Sequence, residues 1–177
     1  MSLIRKATVA DAELLSKLGA KTFSEAFGDV NTKEDLDSYL QSAYSLQQIK
    51  SELEEPENTF FLLYQLDEAV AYAKLNFHEK VNALEGKKIV QIQRIYARKK
   101  VLGTGVGAEL MQKCIDESVR KRMEFIWLTV WQQNFRAIEF YKKWGFEIIG
   151  EKKFMVGSKL YNDHVMSLDL KRFYGHR

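Results

Sequence analysis

The strand-like run Ile89-Val-Gln-Ile-Gln-Arg-Ile-Tyr-Ala97 leads through Arg98-Lys99-Lys100 into Leu102-Gly-Thr-Gly-Val-Gly-Ala108 and directly on into an amphipathic helix. Three glycines within five residues cost backbone entropy, so a turn built this way implies a close approach to the main chain. The helix that follows carries Val106, Leu110, Met111, Cys114 and Ile115 on its apolar side. Its first amides have no intrahelical acceptor and lie at the positive end of the helix dipole. Strand, glycine turn and helix start together form a backbone cradle for an anion, and a diphosphate is the natural occupant.

Two phosphate-binding templates fit this turn poorly. Gly103-x-Gly105-x-x-Ala108 satisfies a loose dinucleotide fingerprint. That fold wants its glycines immediately after a strand and an acid at the end of the next strand. Here basic residues intervene, and the next strand ends Leu128-Thr-Val-Trp131. The phosphate-loop template needs Gly-Lys-Ser/Thr, which is absent.

The 177 residues suit one domain, with no internal repeat and no linker. No apolar run is long enough to cross a bilayer, and Cys114 is the single cysteine, so the sequence favours a reduced, cytoplasmic setting. No metal-ligand cluster is visible. A net charge of +3 implies no nucleic acid. Its distribution is uneven: acids crowd residues 25–57, including Glu25, Asp35 and Glu52, and bases crowd residues 87–153.

Hydrophobic spacing predicts a strand over Leu3–Ala7, a helix over Val9–Phe27, and two shorter helices opened by the capping pairs Thr32/Asp35 and Ser45/Gln48. Strands follow at Phe60–Gln65 and Ala69–Phe77, joined by a tight turn at Asp67-Glu68, and again at Lys87–Ala97. After the helix ending near Arg122 come a strand over Phe125–Trp131, a helix over Asn134–Trp144 closed by Gly145, and a final hairpin of Phe146–Phe154 with Lys159–Leu170. The basic, aromatic end Lys171–Arg177 reads as frayed. This order implies a mixed α/β (α+β) sheet with helices on both faces, not regular βαβ alternation.

The stretch Asn134-Phe-Arg-Ala137-Ile-Glu-Phe140-Tyr141-Lys-Lys-Trp-Gly145-Phe146 resembles the signature of the GNAT superfamily of N-acetyltransferases, Asn-x-x-Ala-x-x-(Phe)-Tyr-x-x-x-Gly-Phe. It stands at that family's distance after the glycine turn, which in turn resembles the family's acetyl-CoA pyrophosphate loop, Gln/Arg-x-x-Gly-x-Gly/Ala. The resemblance is strong over residues 89–146 and weak before Thr59. One position departs: the family's Gln or Arg falls on Leu102, which has no side-chain donor. The resemblance implies the GNAT fold, a central, mostly antiparallel twisted sheet of about seven strands within one domain over residues 1–177. Acceptor-side helices would lie in about residues 9–56 and the acetyl-CoA core in about residues 87–146.

The resemblance also implies roles. Main-chain groups of Ile95, Tyr96 and Ala97 would hold the thioester and pantetheine. The amides of Leu102, Gly103, Thr104, Gly105, Val106, Gly107 and Ala108 would cradle the pyrophosphate. Asn134 would cap its helix and bond the pantetheine arm. Tyr141 would protonate the departing thiolate, as a phenol that stays protonated at neutral pH can do. Lys143, with Lys142, Arg98 and Lys99, would face the 3′-phosphate. Where many relatives carry a glutamate base this chain has Gln93, leaving Glu25, Glu34, His78 or a water chain for proton removal. Cys114 lies on an apolar helix face, so direct attack in a ternary complex is expected over an acyl-cysteine route.

Gln93-Arg-Ile-Tyr96 and the acidic N-terminal segment resemble the PaiA-type spermidine/spermine acetyltransferases, and an acidic patch would attract a polyamine. Protein N-termini or lysines, as in ribosomal-protein acetyltransferases, are the alternative acceptors, and a non-catalytic acetyl-CoA-binding module is the alternative class. Homodimerisation is a further possibility that relatives raise.

Overall fold

The computed structural model describes residues 1–174. Seven strands, β1 (Ser2–Lys6), β2 (Asn58–Gln65), β3 (Glu68–Asn76), β4 (Ile89–Ala97), β5 (Phe125–Trp131), β6 (Glu147–Val156) and β7 (Lys159–Asp169), form one sheet in the order β1-β2-β3-β4-β5-β7-β6. Every neighbouring pair is antiparallel except β4–β5. The helices are α1 (Ala12–Phe27), α2 (Lys33–Ala43), α3 (Leu46–Glu54), α4 (Val106–Arg120), α5 (Phe135–Trp144) and the short α6 (Lys171–Tyr174). None is long and apolar enough to cross a membrane among the described residues.

Helices cover both faces of the sheet, as the element order implies. On one face Leu110, Met111, Cys114 and Ile115 of α4 and Ile138 and Tyr141 of α5 pack on Phe61, Leu63, Ala73, Val90, Ile92 and Leu128. On the other, Leu15, Leu18 and Phe23 of α1 and Ile49 of α3 pack on Phe60, Leu62 and Tyr72. Alternate residues of β2 thus feed two different cores, and Phe60 to Leu63 are buried without a break. Each such side chain contributes about 1.5–3 kcal/mol from burial alone.

Local chemistry sets the element ends. The Asp35 amide donates to Thr32 Oγ1 and the Gln48 amide to Ser45 Oγ, both at 3.1 Å, so both capping pairs open their helices as read from sequence. The first helix starts three residues later than its spacing predicts. Asp11 accepts from the Thr8 amide at 2.8 Å and from Arg5, which holds Val9–Asp11 in a separate 3₁₀ turn. The hairpin turn falls on Leu66 and Asp67, not Asp67-Glu68. Both have positive φ (48° and 63°), the twist a two-residue hairpin requires. The chain end is ordered through Tyr174, contrary to the frayed reading: Arg172 donates to the Trp144 carbonyl, and the Tyr174 hydroxyl donates to that of Met123 at 2.9 Å. The remainder of Lys171–Arg177 lies outside the described residues.

Two irregularities in β4 position everything that follows. A bulge against β3 leaves Gln93 without a register partner. The parallel pairing of β4 with β5 covers only Ile89↔Phe125 to Gln91↔Trp127. Beyond that point the two strands diverge, while β5 stays paired with β7 as far as Trp131↔Asp163. The sheet is therefore forked between residues 92–97 and residues 128–131.

Candidate active site

The fork is the waist of a cavity of about 710 Å³ that opens to both faces of the sheet. At one end it meets Lys99, Leu102, Gly103, Asn134, Arg136 and Tyr141; at the other, Tyr39, Tyr44, Gln91, Phe154, Tyr161 and Asp163.

At the glycine turn the main-chain accounting can be completed. The Leu102 amide donates to the Lys99 carbonyl (3.3 Å) and the Thr104 amide to that of Val101 (3.2 Å); the first α4 bond runs from the Glu109 amide to the Gly105 carbonyl (3.1 Å). That leaves Gly103, Gly105, Val106, Gly107 and Ala108 with unpartnered amides among the described residues. The seven-residue cradle expected from sequence is thus corrected to five donors, because Leu102 and Thr104 spend theirs tightening the turn. Gly103 (φ 82°) and Gly105 (φ 96°) sit in the left-handed region, which a side chain would strain. Leu102 is exposed on the cavity wall, its side chain offering only apolar surface.

On β4 the Arg98 amide donates to the Val70 carbonyl at 2.8 Å. Strand alternation then turns the main-chain groups of Ile95 and Ala97 away from β3, into the fork, and commits Tyr96 to β3. Tyr96 contributes its ring instead, set edge-on to Phe23 and tilted against Tyr72 on the α1 side. This corrects the expectation of three consecutive strand contacts: adjacent residues cannot present their amides to the same edge.

Asn134 caps α5, its Oδ1 accepting from the Ala137 amide at 3.3 Å, which leaves its amide nitrogen on the cavity wall. Tyr141 is 9% exposed, packs against Phe140 and Phe146, and lines the cavity. Its hydroxyl has no hydrogen-bond partner among the described residues. Burial raises its pKa well above the ordinary phenol value, so the hydroxyl is protonated at neutral pH.

Several basic residues take places the sequence does not reveal. Lys143 is exposed on α5 outside the cavity lining, and Lys142 pairs with Glu139 at 3.6 Å. Arg98 is tied to Glu25 at 2.9 Å. The cation beside the turn is Arg136: a Cβ on Gly103 would lie 3.7 Å from its Nη2, and it has no ion-pair partner among the described residues.

Three members of the acidic segment are tied into the structure, while Asp29, Glu34, Asp37, Glu54, Glu55 and Glu57 stay exposed. Glu25 accepts from Arg98 and from the Lys99 amide (2.6 Å); burial opposes its ionisation, but these donors hold its carboxyl below the usual range. Asp35 receives the Ser158 amide and hydroxyl. Glu52, 8% exposed, pairs with the buried Lys74 and with Arg94 (2.9 Å), which also lies over the Tyr44 ring. Burial and the neighbouring Arg94 lower the Lys74 pKa. Glu34 and His78 do not line the cavity, whereas Gln93 does. Cys114 is fully buried, its pKa pushed up to about 12 by desolvation, which leaves it unreactive.

The family model described as "Acetyltransferase (GNAT) family" matches residues 21–146. An uncharacterized N-acetyltransferase from Mycobacterium bovis is 29% identical over 163 residues, covering 92% of this chain and 99% of that protein. Among solved structures, the PaiA N-acetyltransferase of Thermoplasma acidophilum in complex with coenzyme A superimposes with a TM-score of 0.76 at 17% identity, over 96% of this chain and 99% of that one. The ribosomal-protein-S18-alanine N-acetyltransferase of Escherichia coli gives 0.67 at 19% identity, over 96% and 94%.

Proposed function

The chain belongs to the GNAT family of acetyltransferases and uses acetyl-CoA, and from that premise we propose that it acetylates a primary amine by direct attack within the β4–β5 fork. The observation that carries this reading is the continuity of one cavity from Gly103, past Tyr141, to a chamber walled by Tyr39, Phe154 and Tyr161. Acetyl-CoA supplies an activated acyl group as a thioester. The five free amides from Gly103 to Ala108, with Arg136, suit its pyrophosphate. The main-chain groups of Ile95 and Ala97 suit its pantetheine and carbonyl, and Asn134 suits the same arm. Tyr141 is the proton donor to the departing sulfur, a role supported by its place on the wall and its unpartnered hydroxyl.

For the acceptor we favour a cationic amine of the polyamine type. With Glu25, Asp35 and Glu52 already paired, support for this choice moves from the acidic helices to the chamber itself. Aromatic faces such as Tyr39, Trp131 and Tyr161 attract an ammonium group. A protein amine is the second reading, favoured by Lys152 and Lys153 at the chamber edge, which suit a neighbouring peptide carboxylate or carbonyl. Mass spectrometry of a panel of polyamines, amino acids and peptides incubated with acetyl-CoA tests both. Spermidine should gain about 42 Da per acetyl transferred and outpace the peptides. Preference for peptides would move the assignment to the second reading, and no product from any amine would remove the first.

A further inference from the structure

Two residues that line the chamber each carry a buried hydrogen-bond acceptor without a partner among the described residues: Asp163, at Oδ1, and Gln91, at Oε1. Asp163 is 6% exposed and Gln91 is 7% exposed. They come from strands on either side of β5, yet share one sheet face. Asp163 is in register with Trp131, and Gln91 with Trp127. Residues 127, 129 and 131 alternate onto that face, so the two acceptors lie on opposite sides of β5 and four residues apart along it. An orphaned buried acceptor is destabilising, and a donor supplied by substrate relieves that cost. A primary amine brings the N–H groups both positions lack.

We propose that Asp163 is the proton acceptor for the amine. This rests on the acetyltransferase reading above. In the step, the ammonium group first gives one proton to water, and the neutral nitrogen then forms its bond to the acetyl carbon as the carbon–sulfur bond breaks. One N–H proton passes to Asp163 Oδ1, the sulfur takes the Tyr141 proton, and exchange with solvent returns both side chains to their starting states. The surroundings keep a basic carboxylate available. Burial raises the Asp163 pKa; the Thr129 hydroxyl, His164 and Lys152 moderate that rise. Lys152 stands opposite Asp163 on β6, and Arg94 and Glu79 line the same cavity from the β3–β4 side. The role that Gln93 cannot fill from β4 is thereby taken over from β7.

The test compares wild-type, Asp163→Asn and Asp163→Glu proteins for kcat/KM against pH, using the best amine from the panel. Coenzyme A and spermidine binding are measured on each by calorimetry. Asp163→Asn should lower kcat by about 10²–10³-fold, abolish the acidic limb of the profile, and leave coenzyme A affinity within about twofold; Asp163→Glu should recover part of the rate and restore the limb. An Asn variant with the wild-type limb and rate overturns the proposal while leaving the acetyltransferase reading intact. If the wild type turns over no amine, that reading fails on its own, and calorimetry decides the present one: equal spermidine binding, or none, by wild type and Asp163→Asn in the presence of coenzyme A overturns it.

Discussion

Replacing Gly105 by Ala separates backbone geometry from side-chain contact at the heart of the proposed cofactor site. Gly105 has φ 96°, and a Cβ there would meet nothing within 4 Å, so there is no clash to relieve. The whole penalty is that of an L-residue in the left-handed region, about 1–2 kcal/mol. For a chain of this size that lowers Tm by roughly 2–8 °C. Relaxation of the strain would rotate the peptide that opens α4, and with it the free amides of Gly105 and Val106. Each charge-assisted bond lost is worth about 1.5–3 kcal/mol, so coenzyme A affinity should fall about 10- to 100-fold. Gly107→Ala is the control. Gly107 has no positive φ, and its added Cβ would sit 3.6 Å from the Phe140 ring, an ordinary contact, so stability should hold or rise by up to about 1 kcal/mol. Calorimetric unfolding and coenzyme A titration of both variants provide the assay. Equal Tm for Gly105→Ala and wild type, with unchanged affinity, would refute the reasoning.

Tyr141→Phe should lower kcat by about 10²-fold while coenzyme A affinity, read by calorimetry, changes less than about twofold; a wild-type rate would remove Tyr141 as proton donor. Cys114→Ala should keep its specific activity and lose roughly 1–2 kcal/mol of stability, and native protein should resist thiol reagents, whereas an acetylated cysteine found by mass spectrometry after incubation with acetyl-CoA would revive the acyl-enzyme route. Glu117, 6% exposed, is held at about 2 by the Arg120 hydrogen bond, against burial and with help from Lys6. Its folded pKa lies below the ordinary 4.5, so its contribution is complete above pH 4.5 and is lost as pH falls toward 2. Because Arg120 and Lys6 are more than half exposed, Glu117→Gln should cost only about 1–2 kcal/mol at pH 7. Denaturant titrations of the two proteins should converge at low pH, and a constant gap would contradict the linkage.

The sequence was most legible where the physics is local. The Thr32, Ser45 and Asn134 caps, the glycine turn and the face of α4 that carries Cys114 all follow from neighbours three or four residues apart. What depended on distant pairing stayed hidden. Glu25, Asp35 and Glu52 read as an acidic patch because their partners lie far along the chain, at Arg98, Ser158 and Lys74. Arg136, which the motif reading passed over, lies beside Gly103 because α5 packs its first turn against the glycine turn. Asp163 gave no signal in the sequence. It is one acid in an unremarkable strand, and its isolation emerges only when β7 lies beside β5 and the fork opens next to them. The fork itself is a failure of pairing, and hydrophobic patterning does not encode where two strands part.

In the proposed mode of binding, five main-chain donors grip the diphosphate of the acyl carrier. Following the ¹⁵N–¹H resonances of assigned protein during coenzyme A titration addresses them one at a time. Saturable shifts should be largest at Gly103, Gly105, Val106, Gly107 and Ala108 and small at Leu102 and Thr104, whose amides are already bonded within the turn. Shifts of equal size at all seven would restore the broader cradle, and no saturable shift at the five would contradict the account at its root.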